Sequence, residues 1–330
     1  MKKGIYLIGV TLLLSSCGIY TNYHKAEEVP DGLHGEEVAS ASESSIANVE
    51  WRSLFTDATL QTLIEKGLQN NADMQSARLR VEQAEAALLS AKLAYLPSFA
   101  LAPQATISGM DGITAKSYNL PLTASWQFDL FGGIRNAKKQ AKAVLEQTRD
   151  YEQAVRTSLI AGIANTYYTL QMLDAQLAIS ETTEESWKES VRSTRAMMDA
   201  GLVDEVAVSQ MEAAYYGVQT SVLSLKEQIN QVENALSLLL AEAPHAIARE
   251  KEVSFAVPQE LSAGIPVQML DNRPDVRMAE RALEAAFYNT NAARAAFYPN
   301  ITLSGSAGWT NSAGGVILDS GEFLASALAS

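Results

Sequence analysis

Between Leu130-Phe131-Gly132-Gly133 and Ala200-Gly201 the sequence runs without a proline and with one interior glycine, Gly162. Val144, Tyr151, Val155, Leu159, Ile163, Tyr167, Leu170, Leu173 and Leu177 recur at spacings of three, four or seven, the stripe by which a helix lies lengthwise against its neighbours. At 1.5 Å per residue, a helix from Gly133 to Asp199 would be roughly 100 Å long. Globular helices run about 8 to 20 residues, so an ordinary globular domain has no use for such a rod. Lys138, Lys139, Lys142, Arg149, Asp150 and Arg156 exclude a membrane span. The expectation is a rod in water, packed against other helices.

The flanking segments are of two other kinds. Ordered structure is expected from Trp51-Arg52-Ser53-Leu54-Phe55, followed by a short helix from Asp57 bearing Leu60, Leu63, Ile64 and Leu68 and stopped at Asn70-Asn71. A second helix follows from Ala72 to about Leu96, with a small-residue face of Ala77, Ala84, Ala87 and Ala91, and ends at Pro97. The period then changes to two: Phe99, Leu101, Ala105 and Ile107 alternate with Ser98, Gln104, Thr106 and Ser108. Gly109 to Lys116 reads as a turn or loop. A second strand sets Leu120, Leu122, Ala124, Trp126, Phe128 and Leu130 against Asn119, Thr123, Ser125, Gln127 and Asp129. Both segments have the length of a transmembrane β-strand, about 9 to 11 residues with one apolar face, although a sandwich strand would alternate similarly.

Beyond the rod, Ala200-Gly201-Leu202-Val203-Asp204 predicts a tight helical hairpin, with glycine ending one helix and aspartate capping the next. The return helix, Glu205 to Leu240, carries Val208, Met211, Tyr215, Val222, Leu225, Ile229, Val232, Leu236 and Leu239. Residues 243–270 are proline-punctuated and show no clear period.

The N-terminus pairs Met1-Lys2-Lys3 with an apolar run from Ile5 to Leu14, too short to span a bilayer as a helix. It ends Leu14-Ser15-Ser16-Cys17, which resembles the lipobox of bacterial lipoproteins. That resemblance implies a signal peptide over 1–16 and an acylated Cys17 at the head of a polar tether over 17–50. The alternative is a plain secretory signal with an incidental cysteine. Gly18 in place of an aspartate favours sorting to the outer membrane by the same resemblance. Cys17 is the only cysteine, so no disulfide forms within the chain, and a formal charge of −13 argues against a general nucleic-acid or anionic-membrane binder.

At Asn272 the chain repeats itself. A shift of 202 positions lays Asn70-Asn71-Ala72-Asp73 on Asn272-Arg273-Pro274-Asp275, Ala77 on Ala279, Glu82 on Glu284, Ala91 on Ala293, Pro97 on Pro299 and Leu101 on Leu303. A third strand follows, with Ile301, Leu303, Ala307 and Trp309 alternating with Thr302, Ser304, Ser306 and Thr310. The shift puts the counterpart of Trp126 at Leu328, where no similar motif stands. The expectation is a first repeat over 51–271 and an incomplete second over 272–330, cut short before a fourth strand and second rod.

Three motifs then resemble one family. They are Trp51-Arg52-Ser53-Leu54-Phe55-Thr56-Asp57, Trp126-Gln127-Phe128-Asp129-Leu130-Phe131-Gly132-Gly133-Ile134-Arg135, and Asn272-Arg273-Pro274-Asp275-Val276-Arg277 followed by Ala292-Ala293-Arg294-Ala295-Ala296-Phe297-Tyr298-Pro299. Together they look like the outer membrane factor lipoproteins, TolC-like efflux channels of the NodT type. The resemblance implies an α+β membrane protein in which a β-barrel shared between three protomers continues into a long helical-hairpin α-barrel. It implies the outer membrane of a Gram-negative bacterium, lipid-anchored and extending into the periplasm, and a homotrimer working with a periplasmic adaptor and an inner-membrane efflux pump as a passive conduit. Trp126, Phe128, Leu130 and Trp309 then read as membrane-facing barrel residues, with core packing of the aromatics as the alternative, and Gly201, Leu202, Val203 and Asp204 as the adaptor-contacting tip, with a plain hairpin turn as the alternative. Two other roles stay open at this point, a protein-secretion exit duct and a lipid-anchored coiled-coil scaffold without a pore.

An enzyme is the reading from another class. His24, His34 and His245 fall in tether or linker without metal-ligand spacing. Gly132-Gly133 lacks the rest of a dinucleotide motif, and no nucleophile elbow occurs. The expectation is no catalytic residue, no metal site and no cofactor beyond lipid on Cys17. Tyr167, Tyr168, Tyr215 and Tyr216 read as helix-packing residues.

Overall fold

A computed structural model describes residues 22–25, 50–110, 113–250, 272–313 and 316–330. Cys17, the expected signal segment 1–16, the expected tether apart from 22–25 and 50, and residues 251–271 lie outside the described residues. The order is α1 (Trp51–Leu54), α2 (Ala58–Asn70), α3 (Ala72–Leu93), β1 (Ser98–Leu101), β2 (Gln104–Met110), β3 (Ile113–Phe128), α4 (Gly133–Asp199), α5 (Glu205–Leu239), α6 (Pro274–Ala295), β4 (Ile301–Ala313) and β5 (Val316–Ala329).

The rod is α4, 67 residues of unbroken helix. Asp57 caps α2 by accepting from the N–H groups of Thr59 and Leu60 at 2.7 and 3.0 Å. Asn71 ends α2 and starts α3. Its N–H donates to Gly67 O, its Oδ1 accepts from Asp73 and Met74, and its Nδ2 donates to Leu239 O at 3.0 Å, which satisfies a carbonyl at the end of α5. Among the described residues no helix is long and apolar enough to cross a membrane.

The chain divides into two compact units. In the unit comprising Val29–Leu79 and Tyr151–Pro274, Leu60, Ile64, Met74, Leu159, Ile163, Tyr167, Leu170, Leu236 and Leu240 form the core. The rod's predicted stripe supplies its centre. The Tyr167 hydroxyl donates to Asp57 Oδ2 at 2.6 Å, so one carboxylate caps α2 with one oxygen and ties it to α4 with the other. Burial first, and then this bond, push that hydroxyl above its ordinary pKa. Tyr216, expected to pack, is instead exposed.

The other unit holds Arg80–Asp150 and Asp275–Ser330 and contains the sheet, whose order is β1-β3-β4-β5 with β2 also on β3. All its pairings are antiparallel. β1 and β2 keep one register along β3, Leu101 opposite Leu122 and Gln104 opposite Asn119, and part only around Pro103, which has no N–H to give.

Four expectations are corrected here. The fourth strand exists: β5 pairs with β4 from Ala313–Val316 to Leu303–Ala329. The shift of 202 carries α3 onto α6 and β1–β2 onto β4, but the register slips before β5: Leu101 stands opposite Leu122, whereas Leu303 stands opposite Ala329 and not Leu324. The signal was hidden because Phe323, Ala325, Ala327 and Ala329 share one face while Leu324 and Leu328 fall on the other, which blurs the alternation. The expected loop over Gly109–Lys116 is mostly strand, since pairing runs to Met110 opposite Ile113, and the sequence signal for so short a connection was Asp111-Gly112. α3 ends at Leu93, before the expected Leu96. Asp129 and Leu130 lie past the end of β3, not on its two faces.

Candidate membrane and partner surfaces

The register gathers the apolar residues of β1 to β4 onto one face. Phe99, Leu101, Ala105 and Ile107 line up beside Tyr118, Leu120, Leu122 and Ala124; Ile301, Leu303, Ala307 and Trp309 stand opposite Phe128, Trp126, Leu122 and Leu120. Phe323 lies opposite Trp309, with ring centroids 5.9 Å apart. The other face carries Ser98, Gln104, Thr106, Thr123, Ser125, Gln127, Thr302, Ser304 and Ser306. Phe99, Leu101, Ile107, Leu120, Leu122, Trp126, Leu303 and Trp309 are exposed. Among the described residues nothing covers this face. A sheet apolar outside and hydroxyl-lined inside is the composition of a barrel wall in lipid.

Of the predicted membrane-facing residues, Trp126, Phe128 and Trp309 are on this face. Trp126 and Phe128 stand with ring centroids 4.2 Å apart, and the Trp126 indole N–H donates to Tyr95 O at 3.0 Å, an apolar ring with a satisfied polar end. Leu130 is exposed but sits in the turn after the strand. The outer edges of β1–β2 and of β5 pair with no other described strand. In lipid, such unpaired edges are not tolerated.

The turn from β3 into α4 brings two of the sequence motifs together. Phe131 stacks on Tyr298 at 4.8 Å between centroids, Gly132 turns the chain at φ 74°, and Asp129 reaches forward to accept from Ile134 N at 3.1 Å and Arg135 N at 2.8 Å. Asp129 thus satisfies the first free N–H groups of the long helix. Sequence alternation had made it a strand residue.

The opposite end of α4 closes in a Schellman turn. Leu202 N donates to Met197 O and Gly201 N to Met198 O, both at 2.9 Å, with Gly201 at φ 74°. Asp204 caps α5 by accepting from Ala207 N at 3.0 Å, and Arg195 pairs with Glu212 below the turn. Of the predicted tip residues, Gly201 and Asp204 therefore hold the hairpin. Leu202 is 75% exposed and Val206 60%, whereas Val203 is half-buried, so Val206 takes the place expected for Val203.

Sequence reasoning missed an ion cluster in the unit that holds the helical core. Arg249 pairs with Asp174 through Nε and through Nη2 at 2.8 Å, and its Nη1 donates to Glu233 Oε1 at 2.6 Å and to Ile247 O at 2.9 Å. Pairing with Asp174, and then with Glu233, holds the guanidinium above its ordinary pKa against the opposing effect of burial. The segment after α5 is thereby tied to both long helices. Among the described residues no group of three or more His, Cys, Asp or Glu side chains is placed to hold a metal ion.

The profile of the outer membrane efflux protein family matches residues 63–242 and 265–322. The antibiotic efflux pump outer membrane protein ArpC of Pseudomonas putida is 30% identical over 325 residues, covering 93% of this chain and 67% of that protein. The cation efflux system protein CusC of Escherichia coli K12 is 30% identical over 304 residues, covering 89% of this chain and 66% of that one. A solved structure of CusC superposes with a TM-score of 0.78 at 26% identity, over 95% of this chain and 72% of that one.

Proposed function

The chain belongs to the outer membrane efflux protein family, and from that premise we propose that it is the passive outer-membrane duct of a three-part efflux assembly, three copies closing one barrel. The protein is a TolC-like outer-membrane efflux component. What carries the finer reading is the open sheet: four strands' width of apolar face, two unpaired edges, and direct continuation through Asp129 into a helix about 100 Å long. Copies of the same sheet supply the missing pairing and leave no edge in lipid. The hydroxyl-lined face then borders a water-filled lumen. The relatives named above export antibiotics and cations, which supports a duct that leaves selection to an inner-membrane pump and does no chemistry itself. Deleting the gene in a strain with no other outer-membrane efflux duct should raise accumulation of pump substrates; unchanged accumulation contradicts this role.

Acylation of Cys17 fits the same reading. Tyr23, six residues on, packs edge-on against Phe287 at 5.7 Å, and Lys25 pairs with Glu280 at 3.3 Å. Six extended residues reach about 20 Å, and Phe287 lies eight residues, roughly 12 Å of helix, before the end of α6. The thiol can therefore reach the membrane where β4 begins. Cys17→Ser should abolish incorporation of labelled fatty acid; undiminished labelling would remove the anchor from the account.

The hairpin tip is the surface for a periplasmic adaptor, because Leu202 and Val206 are apolar and exposed beside a turn fixed by Gly201 and Asp204. Leu202→Glu with Val206→Glu should leave barrel assembly intact and eliminate both adaptor crosslinking and efflux. Normal crosslinking and efflux would leave the tip a purely structural role.

A further inference from the structure

The chain carries a formal charge of −13, yet one groove runs against it. Between α3 and the start of α4 lies a cleft of about 570 Å³ bordered by Lys92, Lys138, Lys139 and Lys142, with Leu88, Leu89 and Leu145 along it. Leu88 and Leu145 are buried and pack with Ala84. Its two carboxylates, Glu85 and Glu146, are both taken by Arg149, at 2.8 and 3.3 Å. No described carboxylate pairs with any of the four lysines. Two of them lie over aromatic rings instead, Lys138 Nζ at 5.6 Å from the Tyr95 centroid and Lys139 Nζ at 5.1 Å from Tyr288.

The position of the groove says what meets it. Lys92 is the penultimate residue of α3, just before β1, and Lys138 to Lys142 are the sixth to tenth residues of α4, just after β3. The apolar sheet face ends at Trp126 and Phe128. A bilayer's polar layer adds about 5 to 8 Å beyond the hydrocarbon on each side, and lysines on long apolar stems extend their ammonium groups across that distance. Basic pockets at this depth hold anionic headgroups.

We propose that this groove binds an anionic phospholipid of the periplasm-facing leaflet, with the phosphate among Lys92, Lys138, Lys139 and Lys142 and the acyl chains running from there toward the apolar sheet face that ends at Trp126 and Phe128. The aromatic rings under Lys138 and Lys139 hold those ammonium groups in place without neutralising them.

The test uses the full-length protein purified in detergent, with fluorescent phosphatidylglycerol as the probe and the matching phosphatidylcholine as control. Phosphatidylglycerol is expected to bind at least about tenfold more tightly, in a salt-sensitive way. Changing all four lysines to Gln should abolish the preference, and changing all four to Arg should keep it. Equal binding of the two lipids, or an undiminished preference in the Gln variant, overturns the proposal. Displacement of the probe by an equal concentration of inorganic phosphate would assign the site to free phosphate and overturn it too. So would crosslinking of Leu89→Cys to another copy, which would show that the groove is filled by protein. The proposal rests on the outer-membrane placement, and the two are read separately, the placement by co-fractionation with outer membranes and the groove by lipid preference.

Discussion

Gly308→Ala is expected to prevent assembly of the barrel, while Gly305→Ala, three residues away on the same strand, is expected to be tolerated. Pro121 stands in β3, an interior strand, where a missing N–H normally excludes proline. It is accommodated because its partner across the ladder is Gly308. A β-carbon at 308 would lie 2.7 Å from Pro121 Cα and 3.0 Å from the Leu120 carbonyl carbon, and closer still to the Leu120 oxygen. These are backbone atoms in the middle of the sheet and cannot swing aside. At Gly305 the nearest atom to an added β-carbon is Ser326 O at 3.5 Å, an ordinary contact. Overpacking of this kind costs on the order of 3 kcal/mol, and here it parts the two strands that join the repeats. Heat-modifiable, detergent-resistant oligomers on gels report the outcome. They should disappear for Gly308→Ala and persist for Gly305→Ala; equal oligomer yields would show that the β3–β4 contact has slack.

Arg249→Met is expected to destabilise the helical unit by on the order of 3 kcal/mol, because it strands two carboxylates in a partly buried site. Arg249 and Glu233 side chains are each 13% exposed and Asp174 30%, so water recovers only part of the loss. Asp174→Asn with Glu233→Gln and Arg249→Met should restore most of it, since paired charges are replaced together by neutral groups. Because the pKa of Arg249 is raised in the folded protein, its contribution is fully present below the ordinary arginine value and is lost only as pH rises through the raised one. Between about pH 5 and 9 the parent's stability should therefore not vary on account of this group. Protease resistance of the helical unit on heating checks both variants. A single variant as resistant as the parent would reduce the cluster to a surface ion pair.

The long helix, its hairpin and the internal shift were legible because each is written in local, repeated signals. Apolar spacing on α4, glycine and aspartate at 201 and 204, and proline at 97 and 299 all speak for the residues beside them. What escaped was written across distance or against the period. Asp174, Glu233 and Arg249 meet from three separate segments, and no spacing announces them. Asp129 kept the strand's alternation while serving the helix beyond. Asn311 closes the ladder where β4 bulges, its Oδ1 accepting from Tyr118 N at 2.7 Å and its Nδ2 donating to Lys116 O at 2.9 Å, a side chain doing a backbone's work. β5 was missed because leucines at 324 and 328 sit on the face that the other strands keep polar.

A barrel closed by several copies requires each free edge of the sheet to pair with a neighbouring copy. Thr106→Cys on β2 and Ser326→Cys on β5 place thiols near the two edges, on the hydroxyl-lined face. Treating outer membranes that contain this variant with a flexible bifunctional thiol reagent should give covalent dimers and trimers and nothing larger, and neither the variant with only Thr106→Cys nor the one with only Ser326→Cys should give trimers. Chains that stay monomeric in the membrane, or a ladder that continues past the trimer, would contradict a barrel closed by three copies.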